Sequence, residues 1–294
     1  MIKAAGLNWR VESVRAPGAR LIDEERNLYD RYLVMREPLD GEAEPVALGM
    51  VRSGFVPLQN EDAFEFFEPF VRNGWASFHT AGMLGQGERV WVLARLAEQI
   101  VIADDDAVER FLLLSNQHDG SGAVTIRFTP VRVVCQNTLN LAMEGRKSVL
   151  SVKHSRNIAK NLAKAKLAHM KQIIDKVFAD ATTLFGQMAA RTLSAGDVDE
   201  FLAVFFPKTA KQQETGNRPE RWTRIKDILA DPKITPSRTS HTLWGLYNAI
   251  VYDEDFRQAR ETQDGRLERV WFGDGHDLKV KALNAARAFL STAA

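Results

Sequence analysis

Two hydrophobic periods divide this chain, and they restrict the folds open to it. Through the first 150 residues, apolar and polar side chains alternate in short runs, the mark of half-buried strands. From residue 155 onward the apolar positions recur every three to four residues, the mark of amphipathic helices. Strands grouped before helices predict an α+β protein rather than a doubly wound sheet. We expect an N-terminal antiparallel β-sheet with hairpins and a short helix in residues 1–154. A helical C-terminal half, 155–294, packs on it, with a sub-boundary near 207–219.

The runs "GLNWRVESV", "YDRYLVMRE" and "PVALGMV" read as the first three strands. "EDAFEFFEPFVRNG" reads as one helix with Asn60 as its N-cap, acids in its first turn and Gly74 as its stop. Phe64, Phe67 and Phe70 or Val71 form its buried face. "WASFHTAGML" and "ERVWVLARL" flank "GQG" as a hairpin, and "QIVIA" follows as a short strand. "RFLLLSNQ" and "AVTIRFTPVRVVC" flank "HDGSG" as a second hairpin, broken at Pro130. "SRNIAKNLAKAKLAHMKQIIDKVFADATTLFGQMAARTL" is one helix or a kinked pair, with Ser155 or Asn157 near its cap. Further helices are expected in "AGDVDEFLAVFF", "ERWTRIKDILAD", "SRTSHTLWGLYNAIVYDEDF" and "DLKVKALNAARAFLS". "KTAKQQETGNRPE" reads as a polar loop.

The formal charge of +1 conceals an asymmetry. Residues 145–176 carry nine Lys or Arg against one acid, Asp175, so this segment is +8 and the remainder −7. In a helix, Lys160, Lys164 and Lys171 fall within about 40° of one another, with Arg156 about 40° further round. Ile158, Leu162 and Ala165 point to the opposite side. The distance from Arg156 to Lys171 is about 22 Å of helix. No acid stands between residues 145 and 174, so the ridge is expected to lack neutralising i,i+4 partners. Such a ridge suits phosphates. Arg156, Lys160, Lys164 and Lys171 are the candidate phosphate contacts. Arg146, Lys147 and Lys153 would extend the track, and Arg132 would join from the sheet. Bases would stack on Trp75, Phe78 or Trp91. The plainer reading is a solvated helix face.

Other constellations carry less. His118 and Asp119 fit a hairpin turn better than a metal or acid–base site. Asp104, Asp105, Asp106 and Glu109 lack calcium-loop spacing and read as a solvated connection. Cys135 reads as a small buried hydrophobe. Gln136, Asn137, Thr138 and Asn140 read as caps of a following helix. No zinc spacing, phosphate loop or nucleophile elbow is present, so no cofactor, metal or catalytic residue is assigned. The lone cysteine needs no oxidising compartment, and no apolar run reaches membrane-spanning length, so a cytoplasmic location is expected.

"VALGMVRSGFVPLQNEDAFEF", "FLLLSNQHDGSGAVTIRFTPVRVVCQNTLNLAM", "SVKHSRNI" and "HTLWGLYNAIVYDEDF" are similar to the hallmark blocks of the phage/plasmid-like proteins of domain-of-unknown-function family 932. The resemblance implies residues 116–120 and 129–140 as a family signature. It supplies no catalytic residues. It implies a mobile-element setting, which suits a DNA transaction. The leading expectation is therefore a non-enzymatic nucleic-acid-binding protein, binding or annealing single-stranded DNA in recombination or replication and assembling into a ring or filament. Two alternatives stand beside it. One is a protein-interaction factor acting on a host protein. The other is an enzyme with a site near His118, Asp119 and Cys135.

Overall fold

The computed structural model describes residues 2–22, 28–103, 106–132, 137–138, 150–158, 161, 167–216, 219–257 and 261–291. The chain forms two compact units. The first takes residues 1–97, 111–128 and 143–175, and the second takes 98–110, 129–142 and 176–294. The α+β class expected from the two periods is the class observed, with antiparallel sheets early and helices late.

In the first unit, β1 (Val11–Ile22), β2 (Leu28–Arg36) and β3 (Val46–Arg52) form a three-stranded antiparallel sheet in chain order. A second sheet runs β10-β7-β6-β5-β4. Its strands are β4 (Ala76–Leu84), β5 (Arg89–Ile102), β6 (Asp106–Gln117), β7 (Val124–Phe128) and β10 (Leu150–Val152). "QIVIA" is the far end of β5 rather than a separate strand. Phe111 to Asn116 of β6 are all buried, so this central strand is covered on both faces. Val124, Ile126 and Phe128 of β7 are buried as their alternation requires.

The expected helix after β3 is two helices, α1 (Asn60–Glu65) and α2 (Glu68–Arg72). Pro69 accounts for the break. It lacks an N–H and is accepted only in a first turn, so a new helix starts there. Phe64, Phe67 and Phe70 are buried as expected. Asn60 does not cap. Gln59 holds the cap position, and the Asn60 side chain turns inward, donating to the Leu7 carbonyl at 3.1 Å. That backbone oxygen is buried and needs a donor more than an exposed helix end does.

The second unit holds the 98–102 end of β5, the 106–110 start of β6, and a short ladder beside it. There β8 (Val131–Arg132) pairs with β6, and β9 (Asn137–Thr138) pairs with β8. Asn137 and Thr138 therefore lie in a strand pair instead of capping a helix, while Cys135, Gln136 and Asn140 lie outside the described residues. Helix α3 (Leu167–Ala190) begins in the first unit and ends in the second. Upstream, the Ile158 N–H bonds the Ser155 carbonyl and the Asn161 N–H bonds the Asn157 carbonyl, so turns form where the cap was expected.

The remaining helices are α4 (Ala195–Phe205), α5 (Ala210–Thr215), α6 (Glu220–Ala230), α7 (Leu243–Phe256), α8 (Gln263–Trp271) and α9 (Asp274–Ser291). Ser194 and Asp197 form a capping box on α4. The stretch expected as a polar loop contains α5, which is started by a Thr209–Gln212 capping box and stopped by Gly216 at φ +70°. Leu243 to Val251 of α7 are all buried, so it is the central helix of this unit. The Trp244 ring packs 4.7 Å from Phe185. Among the described residues, no helix is long and apolar enough to cross a membrane.

In the first unit the 118–122 turn lies directly on β3. A Cβ on Gly49 would fall 2.4 Å from the Asp119 carbonyl oxygen, a backbone atom that cannot swing away. Gly54 meets nothing within 4 Å. Gly49→Ala should therefore destabilise the protein by about 1–3 kcal/mol, while Gly54→Ala stays within about 0.5 kcal/mol. Urea midpoints compare them, and equal midpoints would refute the close approach.

Candidate functional site

Three groups of residues compete for a functional role. The first is the cationic segment. Lys153 and Arg156 are exposed, and among the described residues no ion pair reaches either. Lys171 differs from expectation. Its ammonium lies 2.5 Å from Asp175 Oδ2, four residues on, and 5.3 Å from the centre of the Trp75 ring. The ridge is thus neutralised at this position, because Asp175 stands just past the acid-free window. Arg146, Lys147, Lys160 and Lys164 lie outside the described residues, as does the side chain of Arg132.

Of the three aromatic candidates, Trp91 is buried beneath Gly82, its cross-strand partner. Phe78 is half-buried against Phe64 and Phe67. Trp75 remains partly exposed. Its backbone is fixed at both ends: its N–H donates to the Phe70 carbonyl at 2.9 Å, and its carbonyl accepts from the Ala97 N–H at 3.1 Å. Gly74, at φ +69°, ends α2 and turns the chain into this position.

The second group surrounds His118. This residue is not a surface turn residue but fully buried. Its Nε2 lies 2.9 Å from Asn60 Oδ1. An amide oxygen only accepts, so Nε2 carries the proton. Trp9 meets the imidazole edge-on at 5.6 Å, and Asn116, also buried, donates to the Leu58 carbonyl at 3.0 Å. His154 stacks on Phe55 at 4.6 Å, with its Nδ1 3.2 Å from the Val56 carbonyl. Asp119 turns away from His118, and its Oδ1 accepts from the Ser121 N–H and hydroxyl. Gly120 follows at φ +81°. His118 and Asp119 are thus adjacent in sequence but separate in environment, with no shared proton. Among the described residues no group of three His, Cys, Asp or Glu is placed to hold a metal ion.

Burial, with a smaller contribution from the charge of His154, lowers the His118 pKa from 6.5 to about 3. Burial lowers that of His154 as well. Between pH 6.5 and 3 the unfolded chain binds the His118 proton and the folded chain does not. The stabilisation is complete above pH 6.5 and is lost as pH falls toward 3, by about 1.4 kcal/mol per unit. His118→Gln should flatten the stability–pH curve in that window, as read from urea melts. A variant curve parallel to the wild type would refute the buried neutral imidazole.

The third group went unseen in the sequence. Asp253, Glu254 and Asp255 at the end of α7 are each at most 1% exposed. Arg221 and Arg224 of α6 bind Asp253 at 2.6 and 2.5 Å. Arg221, Arg257 and Arg269 converge on Glu254. Lys279 of α9, itself fully buried, donates to Asp255 at 2.8 Å. Burial alone would raise the Glu254 pKa, but hydrogen bonds and charge from Arg221 and Arg257 outweigh it and hold the carboxyl low. Burial lowers the Lys279 pKa against the opposing pull of Asp255. Asp106, expected in a solvated acidic cluster, is also fully buried and accepts from Trp244 Nε1 at 2.8 Å. Each ion in this network is already paired, so the arrangement fixes helices and leaves no exposed reactive group. Lys279→Met, which strands Asp255, should cost about 3–5 kcal/mol, and adding Asp255→Leu should recover much of it. Thermal unfolding of the two variants checks this, and a double variant weaker than the single one would contradict it.

These observations define an α+β protein whose quoted sequence blocks contribute several buried polar residues. Asn116, His118 and Thr129 are buried, as are Trp244, Tyr247 and the three carboxylates of α7. Residues 47–271 match the family described as Domain of unknown function (DUF932), and the chain belongs to that family. No curated protein and no solved structure matches it.

Proposed function

We propose that this protein binds nucleic acid, single-stranded DNA foremost, through phosphate contacts made by the cations of residues 146–171. One observation carries the reading: nine cations stand against one acid in residues 145–176, and the two described cations ahead of α3, Lys153 and Arg156, are exposed without an ion pair among the described residues. The contrast with the second unit supports it. There, Arg221, Arg269 and Lys279 are drawn into buried carboxylates.

The proposed contacts are Lys153 and Arg156, with Arg146, Lys147, Lys160, Lys164 and Lys171 from the same stretch of sequence. A polyanion releases its counterions when these groups replace them, and that release drives binding. The resemblance to phage/plasmid-like proteins fits a role in recombination or replication of a mobile element. The His118 region supports no enzymatic reading, because its imidazole is buried and engaged by Asn60.

Reversing Lys153, Arg156, Lys160 and Lys164 to Glu should reduce affinity for a 20-nucleotide single strand by at least a hundredfold at low salt. Gel shift or anisotropy measures it, with circular dichroism confirming the fold. Undiminished affinity in a folded variant would reject the track.

A further inference from the structure

We infer that Trp75 is a stacking platform for an unpaired base and that Lys171 and Asp175 regulate access to it. This rests on the nucleic-acid reading above and adds one base-contacting residue that accounts for a preference for single strands.

Trp75 immediately precedes β4, on the side of that strand where Ser77 is exposed. Ser77 pairs with Arg95 of β5, and Arg95 and Ala97 are exposed on the same alternating face. The opposite residues, Ala76, Ala94 and Leu96, are buried. This patch of sheet is therefore open, and Trp75 is its aromatic member. One edge of the indole is braced by Phe70, 6.3 Å away and nearly perpendicular. Both backbone polar groups of Trp75 are bonded, so the ring is presented from a rigid position. Rigid aromatics on an open sheet face hold unpaired bases by stacking without reading sequence. In a duplex the bases are stacked on one another and offer no free face to such a ring.

Lys171 already rests over the indole. An ammonium over a ring is held by the quadrupole, and Asp175 Oδ2 holds the same ammonium at 2.5 Å. A strand arriving here offers a phosphate in place of the Asp175 carboxylate and a base in place of the ammonium over the ring. Lys171 then moves from the indole to the phosphate. Asp175 competes with the strand for Lys171, so its removal should strengthen binding.

Anisotropy of labelled oligothymidine and of a duplex of equal length tests this with the full chain. For the single strand, Trp75→Leu should weaken binding about tenfold, and Trp75→Phe should retain most of it. Duplex affinity should not respond to either. Asp175→Asn should tighten the single strand several-fold. If wild type binds and Trp75→Leu binds the single strand equally well, the platform is overturned while the phosphate track stands. Equal weakening toward single strand and duplex also overturns it. If wild type binds neither, both readings fall. Should Trp75→Leu fail to fold, photocrosslinking of a bromouracil-substituted strand to wild type decides. A crosslinked peptide containing Trp75 supports the platform, and crosslinks confined to other peptides overturn it.

Discussion

A polar group taken out of water must find a partner, and in this protein the partners are far apart in sequence. Asn60 meets His118 across 58 residues, and Asp106 meets Trp244 across 138. Asp253, Glu254 and Asp255 gather cations from α6, α8 and α9. Each pairing ties elements that local propensity alone would leave independent. In the second unit the ion network joins three helices to α7. In the first, the Asn60–His118 bond ties the end of β6 to the start of α1.

The same constraint sorts the charges. The chain is nearly neutral, yet its acids and bases are unevenly used. Buried carboxylates hold their cations tightly in the second unit. In residues 145–176 the sequence offers a single acid, and among the described cations there only Lys171 pairs with it, at Asp175. A cation with no internal partner is exposed to whatever anion the solution supplies. This inequality, more than the total charge, is the physical basis for proposing a polyanionic ligand.

Much of the fold was legible because period and turn chemistry are local. The hairpins around "GQG" and "HDGSG", the Pro130 break and the buried phenylalanines of α1 and α2 follow from neighbours within a few residues. Helix α5 has local signals too: Thr209, Gln212 and Gly216 are its start and stop. The buried polar groups were not legible. Asp253, Glu254 and Asp255 look like an exposed acidic helix end until four cations from other segments, Arg221, Arg224, Arg269 and Lys279, are placed around them. Asn60 has the composition and position of a cap, and only the tertiary fold gives its amide an internal carbonyl. At the candidate interface, the exposure of Lys153 and Arg156 follows from their charge. The fate of Lys171 depended on one acid at the edge of a charge window and on a tryptophan 96 residues earlier.

If unpaired cations are what the ligand recognises, binding must carry their thermodynamic mark. The direct measurement is the dissociation constant of a single-stranded oligonucleotide over a range of salt concentrations. Four phosphates neutralised by the 146–171 cations give a slope of about −3 in log association constant against log salt. A slope near zero, or no binding at the lowest salt, would contradict a cationic track as the basis of function.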